Sequence, residues 1–351
     1  MTGERIEIVR PDDWHLHLRD GAMLEAIVGF SASVFGRAIV MPNLVPPVRT
    51  PAEAEAYLAR IRAALPDGHP FEPLMTAYMT DDADPDDIGA GFENGIFRAV
   101  KLYPAGATTN SAFGVTRMEA IRPVLAKMER IGMPLLVHGE VVDPAVDVFD
   151  REAVYIERVL DPMRRDFPGL RVVLEHVTTV EAVDYVRAAD GGLGATITPH
   201  HLMIDRNAIF RGGIRPHMYC LPVAKRERHR LALRAAAASG DSRFFLGTDY
   251  APHPRRDKET DCGCAGIFNA PNALQCVAQV FDEEGAFDRL EGFVSRAGAE
   301  FYGMEPNSDR IVLEKGVGSE TPGEAVTVGD DTVRVFEPDT PVSWRIVSGL
   351  R

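Results

Sequence analysis

The chain has 351 residues, of which 45% are apolar and 26% are charged, a composition that supports a sizeable buried core and argues against disorder. Its 52 acidic side chains outnumber the 38 basic ones and give a net charge of −14, which disfavours a nucleic-acid partner. The sequence shows no signal-peptide pattern and no run of 18 apolar residues, so we expect no membrane partner and a cytoplasmic location.

Eight short apolar runs recur along the chain, and they alternate with stretches of helical periodicity. After the opening "WHLHLRDG", the runs are "RAIVMPN", "FEPLMTAYM", "FRAVKLYP", "MPLLVHGE", "RVVLEHV", "LGATITPH" and "RFFLGTDYAPH". Helical stretches include "TPAEAEAYLARIRAAL" and "TRMEAIRPVLAKMERIG", for which Thr50 and Thr116 are the predicted N-caps. The alternation predicts a parallel sheet, and eight strands favour a closed (β/α)8 barrel, the TIM barrel. An open doubly wound sheet is the alternative, but the G-x-G-x-x-G turn typical of it is absent from the sequence.

The C-terminal part of the sequence has a different pattern. After a final helix in "FVSRAGAEFYGM", short alternating segments follow in "DRIVLEKG", "AVTVGDD" and "TVRVFEP". We therefore predict one domain, with the barrel over about residues 5–303 and a short C-terminal appendage of strands and turns over about residues 304–351.

Two histidines lie two positions apart near the start of the chain, His15 and His17. Side chains alternate faces along a strand, so both project the same way and can reach a common point. Taken alone, the pair is compatible with a metal site and with hydrogen-bonded residues of the barrel wall.

Polar residues near the ends of other predicted strands recur at regular intervals. Lys101, His138, His176 and Asp249 are separated by 37, 38 and 73 residues, which corresponds to one, one and two strand–helix units. A barrel gathers the carboxyl ends of its strands around one mouth, and burying so many polar groups there is costly unless a cation compensates. The ligand types suit zinc, and manganese or cobalt less decisively, and their number favours two metal ions.

Lys101 is the unusual member of this group, because an ammonium group repels a cation. A surface or ion-paired lysine is one interpretation. The other is a carbamate formed with carbon dioxide, which is anionic and could bridge two metal ions.

The spacing of the four cysteines argues against a metal site built from them. Cys262 and Cys264 lie two positions apart in "DCGCAG", but Cys220 and Cys276 do not form the second pair of a structural zinc site. Four cysteines are also too few to cross-link so long a chain.

Motifs along nearly the whole chain resemble those of the monofunctional bacterial dihydroorotases, within the metal-dependent amidohydrolase superfamily. They are "DDWHLHLRDG", "VMPNLVPPV", "AVKLYPAGATTNS", "LLVHGE", "LEHVTT", "TPHHL", "GTDYAPH" and "CGCAGIFNAP", in this order. The short segment before the two histidines leaves no room for the N-terminal part of the β-sandwich of hydantoinases, which also favours this branch.

The resemblance implies a TIM barrel that reversibly hydrolyses L-dihydroorotate to N-carbamoyl-L-aspartate, the third step of de novo pyrimidine (UMP) biosynthesis. It implies two Zn²⁺ per subunit, bridged by Lys101 as N6-carboxylysine and by a hydroxide or water. Its implied ligands are His15, His17 and Asp249 for one ion and His138 and His176 for the other. Asp249 is also the implied catalytic base, which moves the proton of the hydroxide to the leaving amide nitrogen.

The same resemblance implies a site for the substrate carboxylate at Arg19, Asn43 and His253. Arg19 is two positions beyond His17, which predicts the same strand face, and a surface salt bridge is its other interpretation. Leu221 and Ala265 would offer backbone groups to the substrate ring. The segment "PAGATTNSAFG" after Lys101 would be a mobile loop, with Thr108 and Thr109 donating hydroxyl hydrogen bonds, although its composition alone also fits an ordinary exposed loop.

Some assignments stay open at this stage. His200 and His201 end the skipped strand, and we predict that one makes a hydrogen bond behind the ligands and the other is structural.

Another cyclic amidohydrolase, of the dihydropyrimidinase or hydantoinase kind, would share the metals but not need the carboxylate site. A catalytically silent scaffold is the third alternative. The expected partners are a small-molecule substrate and, by resemblance, a second copy of the chain in a homodimer.

Overall fold

The structure, a computed structural model, describes residues 4–316 and 323–348. Its strands, in chain order, are β1 (Arg5–Val9), β2 (Asp13–Leu16), β3 (Arg37–Val40), β4 (Glu72–Tyr78), β5 (Ala99–Leu102), β6 (Leu135–Val137), β7 (Val172–Leu174), β8 (Leu193–Ile197), β9 (Phe244–Leu246), β10 (Arg310–Lys315), β11 (Ala325–Val328), β12 (Asp331–Arg334) and β13 (Trp344–Ser348). Strands β2 to β9 form one eight-stranded parallel sheet in sequential order. They coincide with the eight predicted strands.

The two edges of this sheet meet, so the sheet is a barrel. The backbone N–H of His17 donates to the carbonyl of Tyr250 (3.1 Å), and that of Asp249 donates to the carbonyl of His15 (2.8 Å). These bonds join the end of β2 to the segment after β9. The predicted TIM barrel is confirmed.

Side chains of the strands alternate between two apolar layers. One layer fills the barrel and includes Ala99, Leu136 and Val173. Their strand neighbours, such as Val100 and Leu135, belong to the larger core between the sheet and the helices. Both faces of each strand are therefore buried, which explains why the strand sequences are continuous apolar runs.

The helices surround the barrel. They are α1 (Gly21–Val34), α2 (Pro51–Ala63), α3 (Pro85–Glu93), α4 (Met118–Ile131), α5 (Arg151–Tyr155), α6 (Asp161–Asp166), α7 (Val180–Ala188), α8 (Pro199–Met203), α9 (Glu227–Ala237), α10 (Arg255–Lys258), α11 (Ala273–Glu283) and α12 (Ala297–Phe301). A π-helical turn over Ile156–Leu160 joins α5 to α6, and another over Gly292–Arg296 precedes α12. In the part of the chain that the structure describes, no helix is both long and apolar enough to cross a bilayer.

The two predicted N-caps have different outcomes. Thr50 caps α2 in a full capping box with Glu53, as predicted. The Thr116 prediction is wrong, because the N-cap of α4 is Arg117, without a side-chain cap. The Thr116 hydroxyl instead donates to Asp81, a residue distant in the sequence.

Replacing Thr50 with Ala should destabilise the protein by about 1 kcal/mol, since it removes an N-cap hydrogen bond. Thermal or denaturant unfolding measures this effect. Thr116→Ala is the matched control, and we expect a smaller loss because Thr116 does not cap a helix. An equal loss for the two variants would contradict the assigned cap.

Strands outside the barrel form two small antiparallel units. β1, β10 and β13 make one sheet, with β10 in the middle, and β11 pairs with β12. The N-terminal strand therefore joins the predicted C-terminal strands. The division of the chain near residue 303 stays a proposal.

Candidate active site

A single pocket at the carboxyl ends of the barrel strands is lined by nearly all of the predicted site residues. They are His15, His17, Arg19, Asn43, Thr108, Thr109, His138, His176, Leu221, Asp249 and Ala265. Lys101 lies beneath this lining and is completely buried. His253 lies beside it, with Nε2 3.1 Å from Nη2 of Arg19. The structure thus gathers residues that are up to 238 positions apart in the sequence.

Left-handed backbone conformations mark this region. Among the described residues other than glycine, positive φ angles occur at Arg19 (58°), Asn110 (56°), His176 (42°) and Asp249 (44°). Such conformations are unfavourable for most side chains and concentrate at functional sites. At Arg19 the conformation also corrects a prediction, because β2 ends at Leu16 and strand alternation does not direct the Arg19 side chain.

His15, His17 and Asp249 converge on one point. Nε2 of His15 lies 3.3 Å from Oδ1 of Asp249, and Nε2 of His17 lies 3.1 Å from the same oxygen. The other ring nitrogens are engaged, since Nδ1 of His15 donates to Glu175 (2.8 Å) and Nδ1 of His17 donates to the side-chain oxygen of Asn43 (2.8 Å). Two neutral imidazoles would therefore direct lone pairs at a carboxylate oxygen, an arrangement that fits a shared cation.

The pKa values of the two histidines in this group shift in opposite directions. Burial lowers the pKa of His17 to about 4, so this imidazole is neutral and can act as a ligand. Burial also opposes protonation of His15, but the charge of Glu175 and the hydrogen bonds with Asp249 and Glu175 raise its pKa. The position next to His15 therefore stabilises either a proton or a metal ion.

A second set of ligand-type side chains lies beside the first. The ring of His176 is 4.8 Å from that of His138 and 5.0 Å from that of His15, between centroids. Nδ1 of His176 is buried and has no hydrogen-bond partner among the described residues. The set is therefore continuous with the first and could hold a second ion.

Lys101 lies in β5, in register with Leu136, which is two residues before His138. Lys101 therefore lies two residues deeper in the barrel than His138, and its longer side chain makes up the difference in height. Its Nζ has no hydrogen-bond partner within the described part of the chain. Burial lowers the pKa of Lys101 to about 8. The neutral amine, the form that can react with carbon dioxide, is therefore more populated than in an exposed lysine.

Two buried glutamates that the sequence analysis missed orient the histidines. Glu175 accepts from His15 and from the hydroxyl of Thr196 (2.5 Å). Glu140 accepts from Nε2 of His138 (3.0 Å), which leaves Nδ1 of that ring for a ligand role. Carboxylate–histidine pairs of this kind fix the tautomer of metal-binding imidazoles. A sequence signal existed only for Glu140, which follows its partner His138 by two residues, whereas Glu175 is 160 residues from His15.

Replacing Glu175 with Gln should weaken metal binding by about 10- to 100-fold, because it removes the charge that orients and polarises His15. Competition with a chelator of known affinity measures the change. Glu181→Gln is the matched control, since Glu181 also faces a histidine, His229 at 3.7 Å, but lies on the surface. Equal metal affinity in the two variants would contradict the orienting role.

The residues predicted to bind a carboxylate occupy one corner of the pocket. Arg19 donates from Nη2 to His253 and from Nε to the carbonyl of Pro252 (3.3 Å). Burial and the Arg19 charge lower the pKa of His253 to about 2, so this ring is neutral and can accept. Nη1 of Arg19 is buried without a partner among residues 4–316 and 323–348. It remains free for a substrate anion.

Hydrogen bonds tie the predicted loop to the pocket. Thr109 donates its hydroxyl to the carbonyl of Ala265 (3.2 Å), and its own carbonyl accepts from Asn43 (3.1 Å). Asn110 donates to the carbonyl of Asn43 (3.1 Å) and accepts from the hydroxyl of Tyr78 (3.3 Å). The loop, held by polar contacts rather than by a large apolar core, lies against the site.

His200 and His201 lie at the start of α8 and not at the end of β8. Asn269 donates both to Nδ1 of His200 and to the carbonyl of Thr248, each at 2.9 Å, and Thr248 precedes Asp249. His201 bonds to Thr198 (2.8 Å) and to the carbonyl of Pro222 (3.0 Å). These bonds support a role for His200 behind the site and a structural role for His201.

Cys220 lies close enough to these two histidines for the three to be a candidate metal group. Both nitrogens of His201 and one of His200 already have hydrogen-bond partners. Burial raises the pKa of the Cys220 thiol well above its usual value. These properties argue against metal binding by this group.

Comparison with known proteins agrees with this geometry. Residues 9–312 match the amidohydrolase family. The chain is 60% identical to a dihydroorotase from Chelativorans sp. (strain BNC1), over 97% of this chain and 99% of the relative.

Solved structures give the same result. A dihydroorotase from Saccharomyces cerevisiae in complex with 5-fluoroorotic acid superposes with a TM-score of 0.88 and 32% identity, over 98% of both chains. An L-hydantoinase from Arthrobacter aurescens shares the fold, with a TM-score of 0.81 but 16% identity, over 99% of this chain and 84% of that one. The chain belongs to the amidohydrolase family and, within it, to the dihydroorotases.

Proposed function

We propose that this protein reversibly hydrolyses L-dihydroorotate to N-carbamoyl-L-aspartate, in the third step of de novo pyrimidine biosynthesis, at a site that holds two zinc ions. The main support for this proposal is that Nε2 of His15 and Nε2 of His17 both point at one carboxylate oxygen of Asp249. Nδ1 of each ring is hydrogen-bonded to another side chain, Glu175 or Asn43. A shared metal ion would satisfy this arrangement, and imidazole with carboxylate suits zinc.

His15, His17 and Asp249 would hold the first ion, and His138 and His176 the second, with carboxylated Lys101 between them. Buried nitrogen atoms without hydrogen-bond partners among the described residues support this assignment: Nδ1 of His176 and Nζ of Lys101. Zinc would supply a Lewis acid and lower the pKa of a water molecule towards neutrality.

The protein itself would supply orientation and proton transfer. Asp249 belongs to the first ligand set and lines the pocket, and its carboxylate would carry a proton between water and the ring nitrogen of the substrate. Glu175 and Glu140 would keep His15 and His138 in the tautomers that the metals need.

The substrate carboxylate would lie against Arg19, Asn43 and His253, because Nη1 at one end of the planar Arg19 fork has no partner in the described part of the chain. Backbone groups of Leu221 and Ala265, which line the pocket, would contact the ring. The loop with Thr108 and Thr109 would cover the substrate and exclude water.

Thr109→Ala should lower kcat/KM by about 10-fold, since it removes the hydroxyl that joins the loop to Ala265. Steady-state kinetics with dihydroorotate measures the loss. Thr260→Ala is the control, because its hydroxyl bonds only within an exposed turn. Wild-type kinetics for Thr109→Ala would remove this residue from the mechanism.

Turnover of dihydroorotate beside dihydrouracil and hydantoin tests the proposed function. We expect hydrolysis of dihydroorotate alone, with two zinc ions per chain in the same preparation by elemental analysis. Preference for a neutral ring would assign the protein to the hydantoinase activity. A preparation that holds metal but acts on none of the three compounds would defeat both assignments.

We also propose a homodimer that works in the cytoplasm. Support for the dimer is the resemblance alone, and support for the compartment is that all four cysteines are free. Light scattering coupled to size exclusion tests the oligomeric state.

A further inference from the structure

The pocket contains a polar group that neither the metal ligands nor the carboxylate residues use. Tyr103 lines the pocket and is only 1% exposed. Its hydroxyl has no hydrogen-bond partner in the described part of the chain. A buried phenol without a partner is unfavourable, so the free site carries a donor that a bound molecule can satisfy.

The position of Tyr103 is fixed by its neighbours. It is two residues after Lys101, and Nζ of Lys101 lies 5.0 Å from its ring centroid. Its ring stacks on Tyr78, with centroids 5.2 Å apart, and lies 6.2 Å from the ring of His138. These contacts hold the ring in place and leave only its hydroxyl available.

The carboxylate corner is short of free donors. One N–H of the Asn43 side-chain amide is bonded to the carbonyl of Thr109, and Nε2 of His253 accepts from Arg19. Nη1 of Arg19 has no hydrogen-bond partner among the residues that the structure describes. Tyr103 and Arg19 both line this pocket, so the Tyr103 hydroxyl can supply a further donor there.

We propose that the hydroxyl of Tyr103 donates a hydrogen bond to the substrate carboxylate and, with Arg19, determines specificity for an anionic ring. A phenol is protonated at neutral pH and can donate to one carboxylate oxygen while the guanidinium holds the other. This inference rests on the proposed function. It adds a binding residue that the motif resemblance did not supply.

Tyr103→Phe in the zinc-loaded enzyme tests the inference. The Kd of 5-fluoroorotate, measured by calorimetry, and the KM for dihydroorotate should rise by the same factor of about 10 to 100. The value of kcat should change by less than about threefold, because the lost contact exists equally in the ground state and the transition state. Thermal stability without ligand should not fall, since the substitution removes an unsatisfied buried hydroxyl.

Tyr302→Phe is the matched control. Tyr302 is also buried, and its hydroxyl also lacks a partner among the described residues, but it packs on Trp14 in the interior of the barrel, with ring centroids 4.6 Å apart. We expect unchanged Kd, KM and kcat for this variant.

A double-mutant cycle with Arg19→Ala locates the contact. If both groups hold one carboxylate, the effects on kcat/KM should be coupled rather than additive. Full additivity, unchanged Kd, or a fall in kcat larger than the rise in Kd would each overturn the inference. Failure of the wild-type enzyme to act on dihydroorotate or bind 5-fluoroorotate would instead defeat the proposed function.

Discussion

Replacing Lys101 with Ala should remove most of the bound zinc and lower kcat/KM by about a thousandfold or more. The reason is that a bridging anion compensates several kcal/mol of repulsion between two adjacent cations. Elemental analysis and steady-state kinetics on the same preparation measure both effects. Short carboxylic acids such as acetate should restore part of the activity, because they fit the space of the missing carbamate.

Another buried lysine shows why Lys101 is distinctive. Nζ of Lys258 donates to the carbonyls of Tyr219 (2.9 Å), Cys264 (2.6 Å) and Gly266 (2.8 Å). A structural ammonium group is surrounded by such acceptors, whereas Nζ of Lys101 has none among the described residues. This contrast supports the carboxylated form of Lys101.

Lys127→Ala is the control for the Lys101 experiment, since Lys127 makes only a surface ion pair with Glu93 at 3.7 Å. It should keep its zinc and its activity with or without added acetate. Unchanged zinc content in Lys101→Ala would contradict the bridging role. Loss of activity without any response to carboxylic acids would contradict the carbamate in particular.

Local sequence signals predicted the barrel well, for identifiable reasons. Burial of both strand faces produces continuous apolar runs, and the repeat of one strand and one helix placed Lys101, His138, His176 and Asp249 at regular spacing. The cap at Thr50 depends only on residues within one turn of helix. The N-cap prediction for Thr116 was wrong because the hydrogen-bond partner of its hydroxyl, Asp81, lies 35 residues away.

Contacts between distant segments explain what the sequence did not reveal in the site. His15 and Glu175 are 160 residues apart, and no spacing rule connects them. Arg19 lies outside β2, contrary to the prediction. Its backbone adopts a positive φ, a conformation that arginine does not favour intrinsically. The partnerless hydroxyl of Tyr103 becomes meaningful only when its surroundings are known.

Replacing Arg19 with Ala should raise the KM for both dihydroorotate and N-carbamoyl-L-aspartate by about 100-fold, since it removes the charged fork that faces a buried carboxylate. Zinc content should stay near that of the wild type, because within the described chain the Arg19 side chain donates hydrogen bonds to His253 and Pro252 rather than to a proposed metal ligand. Steady-state kinetics in both directions, with metal analysis, measures the two quantities separately.

Arg60→Ala is the matched control for this substitution, because Arg60 is a nearby half-exposed arginine that pairs with Asp20 at 2.9 Å. It should leave both KM values unchanged. Loss of zinc in proportion to activity in Arg19→Ala would show that Arg19 supports the metal site instead of the substrate. A rise in KM with full zinc would explain specificity within the shared barrel, because neutral-ring hydantoins offer no carboxylate for this fork.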